Sequence, residues 1–438
     1  MDAAFNFLIF DLLSNQTIVL GVVALVGLLL QKKQFPQVID GVVKTIIGLT
    51  VLSSGAGILM NSMTPIVNAL NASLNVNGVL PVNDAVFGIV MQFSQPAQDT
   101  VLIFLLAFIL HLVLVRILPN KDFKNVYLTA HLMLYYAAFM AVCLPGVLQT
   151  DNSVLIVGLG TVICASYYTF SPAITRKLAR SWTKDAVTLG FMDQVGCIIA
   201  HYVGKWCGSP DPSQDADKIK FPKWASMFRD NTVVLFFLMP ILFVCIGVAV
   251  GKTGIQALSG DAPGSTNWIM WLILQGWTFT AGMVILLQGV RIFVGSIVPA
   301  FKGISDRAIP GAVPALDAPV FFPYSPMGGM FGFLGSSIAC ILATFITIWL
   351  HLPVIVFPSP IIMYFDGSVI GVFANKAGGW RGALAAGFVT GLITSLGVCL
   401  FYPLTGAVFG SGITWSNIDC AIVFTPIMYL LKFITGLF

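Results

Sequence analysis

Apolar residues come in long unbroken runs, not in the alternating pattern of half-buried strands. Ten runs carry at most one charge each: 17–31, 41–60, 100–117, 125–145, 153–171, 232–251, 268–298, 328–350, 382–405 and 420–436. About 20 such residues cross a bilayer as a helix. A shorter run, 352–365, makes an eleventh candidate. No Asp, Lys or Arg interrupts residues 318–365, so that stretch is expected to hold more than one crossing. The pattern reads as an all-α polytopic membrane protein of ten or eleven spans.

Composition makes the same point by exclusion. Of 438 residues 57% are apolar and 9% charged, against about 25% charged in an average soluble chain. Every acidic residue is Asp. A net charge of +4 is too small and too dispersed for a nucleic-acid partner, and fits a Lys/Arg surplus on the cytoplasmic side of a membrane. The eight cysteines are scattered without a CxxC pair, so neither disulfides nor a metal centre are expected. Asp2 and Asp11 at the N-terminus argue against a cleaved signal peptide. No phosphate-binding glycine loop, GxSxG or HExxH is present, and no nucleophile sits beside a base, so no catalytic residue and no cofactor are expected.

Residues 176–230 hold 15 of the 40 charges, nine of them basic. The positive-inside rule places this loop, and the Lys32-Lys33 pair, in the cytoplasm. Within it an apolar insert, 186–203, carries Asp193 and His201 and reads as a re-entrant or interfacial segment. The loop is either a solvated connector or a docking face for a soluble partner.

Two stretches repeat. Residues 79–87 read VLPVNDAVF and 312–321 read AVPALDAPVF, sharing Pro-x-x-Asp-Ala at a constant offset of 233 residues. Five expected spans separate the copies. An odd number inverts the halves, and inverted repeats place substrate near the midplane at interrupted helices. The division is 1–171, a cytoplasmic segment 172–231, and 232–438, all in one integral-membrane unit. Ionisable groups inside spans are costly and mark function by default, which selects Asp84 and Asp317; their alternative role is to cap the helix of a hairpin tip. His131 and Tyr135 share a helix face at i and i+4, suiting a hydroxyl-rich ligand or a helix–helix hydrogen bond. Arg116 is expected to snorkel; Lys44 and Arg291 are expected to pair between helices with an Asp such as Asp40 or Asp306. Gly and Pro cluster at 325–329, 353–360 and 375–379, breaks tolerated only where backbone lines a cavity or is covered by protein.

With these residues in view, the chain resembles the membrane component (enzyme IIC) of the ascorbate-type sugar phosphotransferase systems. The resemblance runs from the first span to about Gly410. Its most specific pieces are GVVKTIIGLTVLSSGAGIL (Gly41 to Leu59), QGVRIFVGSIVPAFKGISDRAIPGAV (Gln288 to Val313) and IGVFANKAGGWRGAL (Ile370 to Leu384). It implies a homodimer in the bacterial cytoplasmic membrane, with about eleven spans per subunit, a scaffold domain, and a core domain moving like an elevator. It also implies L-ascorbate as substrate, handed inward to a phosphorylated IIB protein that IIA serves. Asp317 is similar to the family's substrate-contacting Asp. His131, in Ala130-His131-Leu132-Met133, is similar to the His of the family's Gly-His-x-Met.

The chain departs from that pattern at three places. Asn83-Asp84 replace Thr-Tyr in the first tip, and Tyr135 replaces a Gln. Gly190-Phe191-Met192, followed by Asp193 and Gln194, replace Gly-His-Gln. The substrate-binding set expected here is therefore Asn83, Asp84, His131, Tyr135, Asp193, Gln194 and Asp317. Ascorbate is an anion near neutral pH, and two carboxylates repel it unless a proton intervenes. Acceptor-only carboxylates match the hydroxyls of a neutral polyol or sugar. Three functions follow: a phosphotransferase carrier of ascorbate or a related polyhydroxy compound; a proton-coupled or facilitative carrier on the same fold that works without phosphorylation; or a non-transporting membrane receptor or scaffold, which leaves the broken hairpins and buried carboxylates without purpose.

Overall fold

The computed structural model describes residues 16–74, 77–219, 231–259, 267–359, 362–406 and 408–436. Asp2, Asp11, Lys220, Lys223, Arg229 and Asp230 lie outside the described residues. In chain order the helices are α1 (Gln16–Leu30), α2 (Phe35–Leu74), α3 (Asn83–Val90), α4 (Ser94–Ile117), α5 (Ala130–Leu148), α6 (Ser153–Thr183) and α7 (Gln194–Cys207). They continue with α8 (Asn231–Val250), α9 (Lys252–Ser259), α10 (Trp268–Ala308), α11 (Pro326–Trp349), α12 (Gly367–Thr405) and α13 (Thr425–Thr435). Short strands sit between them: β1 (Gly78–Pro81), β2 (Asn125–Tyr127), β3 (Thr188–Leu189), β4 (Val313–Leu316), β5 (Ile355–Val356) and β6 (Ile413–Thr414).

Among the described residues seven helical stretches are long and apolar enough to cross a membrane, and three shorter apolar helices accompany them. Each of the ten apolar runs falls on one of these helices. The eleventh, 352–365, does not form a crossing of its own. It is too short for one, and Pro353 and Pro358 deprive it of backbone donors. It runs instead as β5 and then a π-helical turn, Ile362–Asp366, leading into α12. Run 382–405 is the second part of α12, which breaks at Gly378–Gly379; Gly379 has φ +70°, a conformation glycine adopts without strain.

Two helix groups are held by close backbone approach. A Cβ at Gly48 would lie 2.5 Å from the Phe293 nitrogen, and one at Gly289 2.3 Å from the Leu52 nitrogen, so α2 and α10 meet backbone to backbone. The seam between α11 and α12 is built likewise: a Cβ at Gly332 would lie 2.1 Å from the Gly367 carbonyl. Lipid is as apolar as Leu, so such van der Waals contact replaces the hydrophobic drive between helices.

The repeated Pro-x-x-Asp-Ala stretches occupy equivalent places. β1 is the central strand of a parallel sheet, β5-β1-β6, and β4 is central in another, β2-β4-β3. Each central strand comes from one half of the sequence and both its neighbours from the other half. The ladders satisfy backbone groups that the broken helices leave open, as burial away from water requires.

The charged segment after α7 is docked onto the helices. Asn375 Nδ2 donates to Asp215 (2.7 Å) and to Ser325 (2.8 Å), Ala216 N donates to Asn375 Oδ1 (2.9 Å), and Met327 N donates to Asp217 (2.9 Å). Residues 209–218 thus close over the α12 break and the start of α11. The insert 186–203 is β3 followed by most of α7.

Candidate functional site

The two tips meet at a small cavity. Asn83 and Asp84 open α3, and Asp317 follows β4. His131 and Tyr135, one turn apart on α5, face the same space. Tyr135 Oη donates to Asp84 Oδ1. His131 Nε2 stands 3.4 Å from Asp317 Oδ2. Asp317 Oδ1 also accepts from the Ala318 amide at 2.7 Å, capping a short 3-10 turn, so the capping and pocket roles coexist. His131 Nδ1 is buried and has no partner among the described residues. Phe191, Phe365 and Leu287 supply apolar wall. Two acidic acceptors, an imidazole and an amide around apolar surface make a site for several hydroxyls on a compact carbon frame.

The cavity measures about 70 Å³, roughly half of the ~150 Å³ that admits benzene in an engineered apolar cavity. A sugar-sized ligand therefore enters only with movement of the lining. Leu287 belongs to α10, whereas the polar groups come from the tips and α5. The cavity lies where the α2–α10 group meets the remainder.

Asp193 and Gln194, also expected at the site, do not line this cavity. They sit behind it, both 1% exposed, at the start of α7. Gln194 is fully engaged, donating to the Leu189 carbonyl (2.7 Å) and accepting from Thr175 (2.8 Å). Sequence reasoning missed Asn417, which lines the cavity and accepts from Asn83 Nδ2, and the buried carboxylates Asp366 and Asp419. Both Asp residues border apolar runs, and the cost of an ionisable group there was the signal available. Asn417 left no such mark.

Other ionisable residues serve structure. His111 Nδ1 lies 2.9 Å from Thr169 Oγ1 while Nε2 accepts from the Tyr127 amide (3.1 Å), tying α4 to α6 and β2. Lys44 pairs with Asp40 at 2.7 Å one turn away on α2, within the helix and not between helices as expected. Arg116, exposed near the end of α4, donates to the Ala308 carbonyl at the end of α10 (2.8 Å). The side chain of Asp306, the partner considered for Arg291, lies outside the described residues. Arg180 bonds Asp122 (2.6 Å) and Asp185 (3.0 Å), and Arg176 bonds Asp185 (2.8 Å). The Arg180 hydrogen bond holds the Asp122 carboxyl below the usual carboxylate range, and Arg176 does the same for Asp185.

Residues 11–419 match the model of the family described as "PTS system sugar-specific permease component". The chain belongs to this family. Its membership accounts for a multi-pass membrane protein. A curated relative is the "Ascorbate-specific PTS system EIIC component" of Mycoplasma pneumoniae, 26% identical over 435 aligned residues. The match covers 87% of this permease and 64% of that relative's length.

Proposed function

We propose that this permease binds L-ascorbate, or a closely related small polyhydroxy compound, in the cavity between Asp84, His131 and Asp317. It then presents that ligand to a cytoplasmic IIB protein for phosphorylation. The observation that carries the reading is the convergence of both repeat tips on the His131–Asp317 pair, within a chain of the sugar-permease family. The ascorbate-specific relative favours ascorbate as the first ligand to test. His131 supplies what an anion needs: protonated, its imidazolium offsets one of the two carboxylates. The chain would act as a homodimer in the bacterial cytoplasmic membrane. Its transport step would be an elevator-like movement of the tips against the α2–α10 group; the cavity's position between the two supports that mechanism. The helix ends around Arg176 and Arg180, with the basic loop beyond, offer a cytoplasmic face for IIB.

One observation favours a second reading. Two carboxylates at one small cavity match a neutral polyol or sugar better than an anion, and such a carrier needs no phosphorylation. Right-side-out vesicles holding the permease, and enclosing cognate IIA, IIB and the soluble proteins that pass the phosphoryl group from phosphoenolpyruvate to IIA, decide between them. The first reading expects phosphoenolpyruvate-dependent formation of phosphorylated ascorbate. Uptake that ignores phosphoenolpyruvate and accepts only neutral polyols would overturn it.

A further inference from the structure

Behind the cavity three carboxylates, Asp193, Asp366 and Asp419, lie within electrostatic reach of one another. All are at most 2% exposed, and none forms an ion pair among the described residues. Asp419 is well provided for: it accepts from the Gln194 amide (2.8 Å), the Val195 amide (3.0 Å) and Tyr167 Oη. Asp366 accepts from Asn417 Nδ2 at 3.4 and 3.5 Å. Asp193 is different. Both its oxygens are buried and neither has a partner among the described residues.

An isolated carboxylate ion without donors is among the most costly groups to bury, and here other carboxylates surround it. Among the described residues the remaining titratable groups facing the cluster are Cys197 on α7, Tyr167 on α6, Tyr127 on β2, Tyr136 on α5, Cys340 on α11 and Cys420 beyond Asp419; none is basic. The cluster therefore calls for a cation. Among the described residues no three His, Cys or Asp side chains are arranged to hold a metal ion, which leaves the smallest one.

We propose that Asp193 is a proton-binding site whose occupancy sets the ligand affinity of the neighbouring cavity. The connection is short: Asp366, beside Asp193, accepts from Asn417, and Asn417 accepts from Asn83; both Asn residues line the cavity. One proton passes from bulk water to an Asp193 oxygen and back, with no other reactant. When it leaves, a further negative charge stands behind Asn83 and Asn417, draws their amides inward and repels an anionic ligand. The linkage to ligand rests on the proposed function; the proton site does not.

Infrared difference spectroscopy of the ligand-free full-length protein tests the site directly. At neutral pH the buried carboxylic-acid band should lose intensity in Asp193→Asn; an unchanged band overturns the proposal. Should that variant not fold, Asp366→Asn serves, since loss of the adjacent charge should make the remaining band vanish at lower pH; no displacement overturns the site. Sodium that raises the thermal midpoint of wild type but not of Asp193→Asn, against choline as control, would overturn the proton in favour of a metal cation. The second arm titrates L-ascorbate from pH 5 to 9. Wild-type affinity should fall about tenfold more than that of Asp193→Asn, a usual coupling size; an equal fall in both overturns the linkage. No ascorbate binding at any pH would overturn the proposed function, and the infrared result would still decide the proton site.

Discussion

At the residue scale, the site depends on who donates to whom. Tyr135 gives Asp84 its hydrogen bond, and His131 faces Asp317. Asp84→Asn and Asp317→Asn should each weaken ligand binding by about tenfold or more, the range for a hydrogen bond to a charged group. Calorimetric titration checks this, with a thermal midpoint near wild type showing that the fold is intact. Tyr135→Phe leaves Asp84 buried without its donor and should cost about 1–3 kcal/mol of stability, read from thermal unfolding. Asp84, His131, Tyr135 and Asp317 were legible because polar groups in apolar runs stand out. Asp193 and Gln194 were selected by a departure from a family motif, a signal that cannot tell a cavity wall from the layer behind it.

At the element scale, the cluster of Arg176, Arg180, Asp122 and Asp185 fastens the end of α6. Both carboxyls titrate below their unfolded values. Their stabilisation is therefore present at neutral pH and is lost as pH falls through the folded values. The thermal midpoint should drop on acidification toward pH 4, and Arg180→Gln should flatten that drop. Arg180 is exposed and both carboxyls are half-buried, so screening limits the effect. The glycine seam gives a sharper expectation. Gly332→Ala forces a methyl against the Gly367 carbonyl and should destabilise by about 1–3 kcal/mol; a midpoint equal to wild type would show that α11 and α12 do not pack backbone to backbone. The ten apolar runs were legible as helices because lipid admits few alternatives. The run 352–365 misled because apolarity alone does not separate a crossing from a buried tip, and the prolines that decide it act on backbone donors. The short parallel strands left no alternation to read, since both their faces are largely buried.

At the whole-molecule scale, the repeat visible in nine residues becomes two equivalent sheets, each centred on a strand from the opposite half. This exchange brings Asp84 and Asp317 to one cavity although 233 residues separate their motifs. The homodimer expected of the chain should appear in detergent or nanodisc at twice the 47.0 kDa of one subunit, measured by light scattering; a single-subunit mass would contradict it.

The central claim is that this cavity is the ligand site, and calorimetric titration of the purified permease tests it most directly. L-Ascorbate, neutral polyols, pentoses and sugar acids are titrated into wild type and Asp317→Asn. The account predicts saturable heat with L-ascorbate or a close polyhydroxy relative, strongly weakened in Asp317→Asn. A ligand bound equally well by wild type, Asp317→Asn and Asp84→Asn would contradict it and move the site elsewhere.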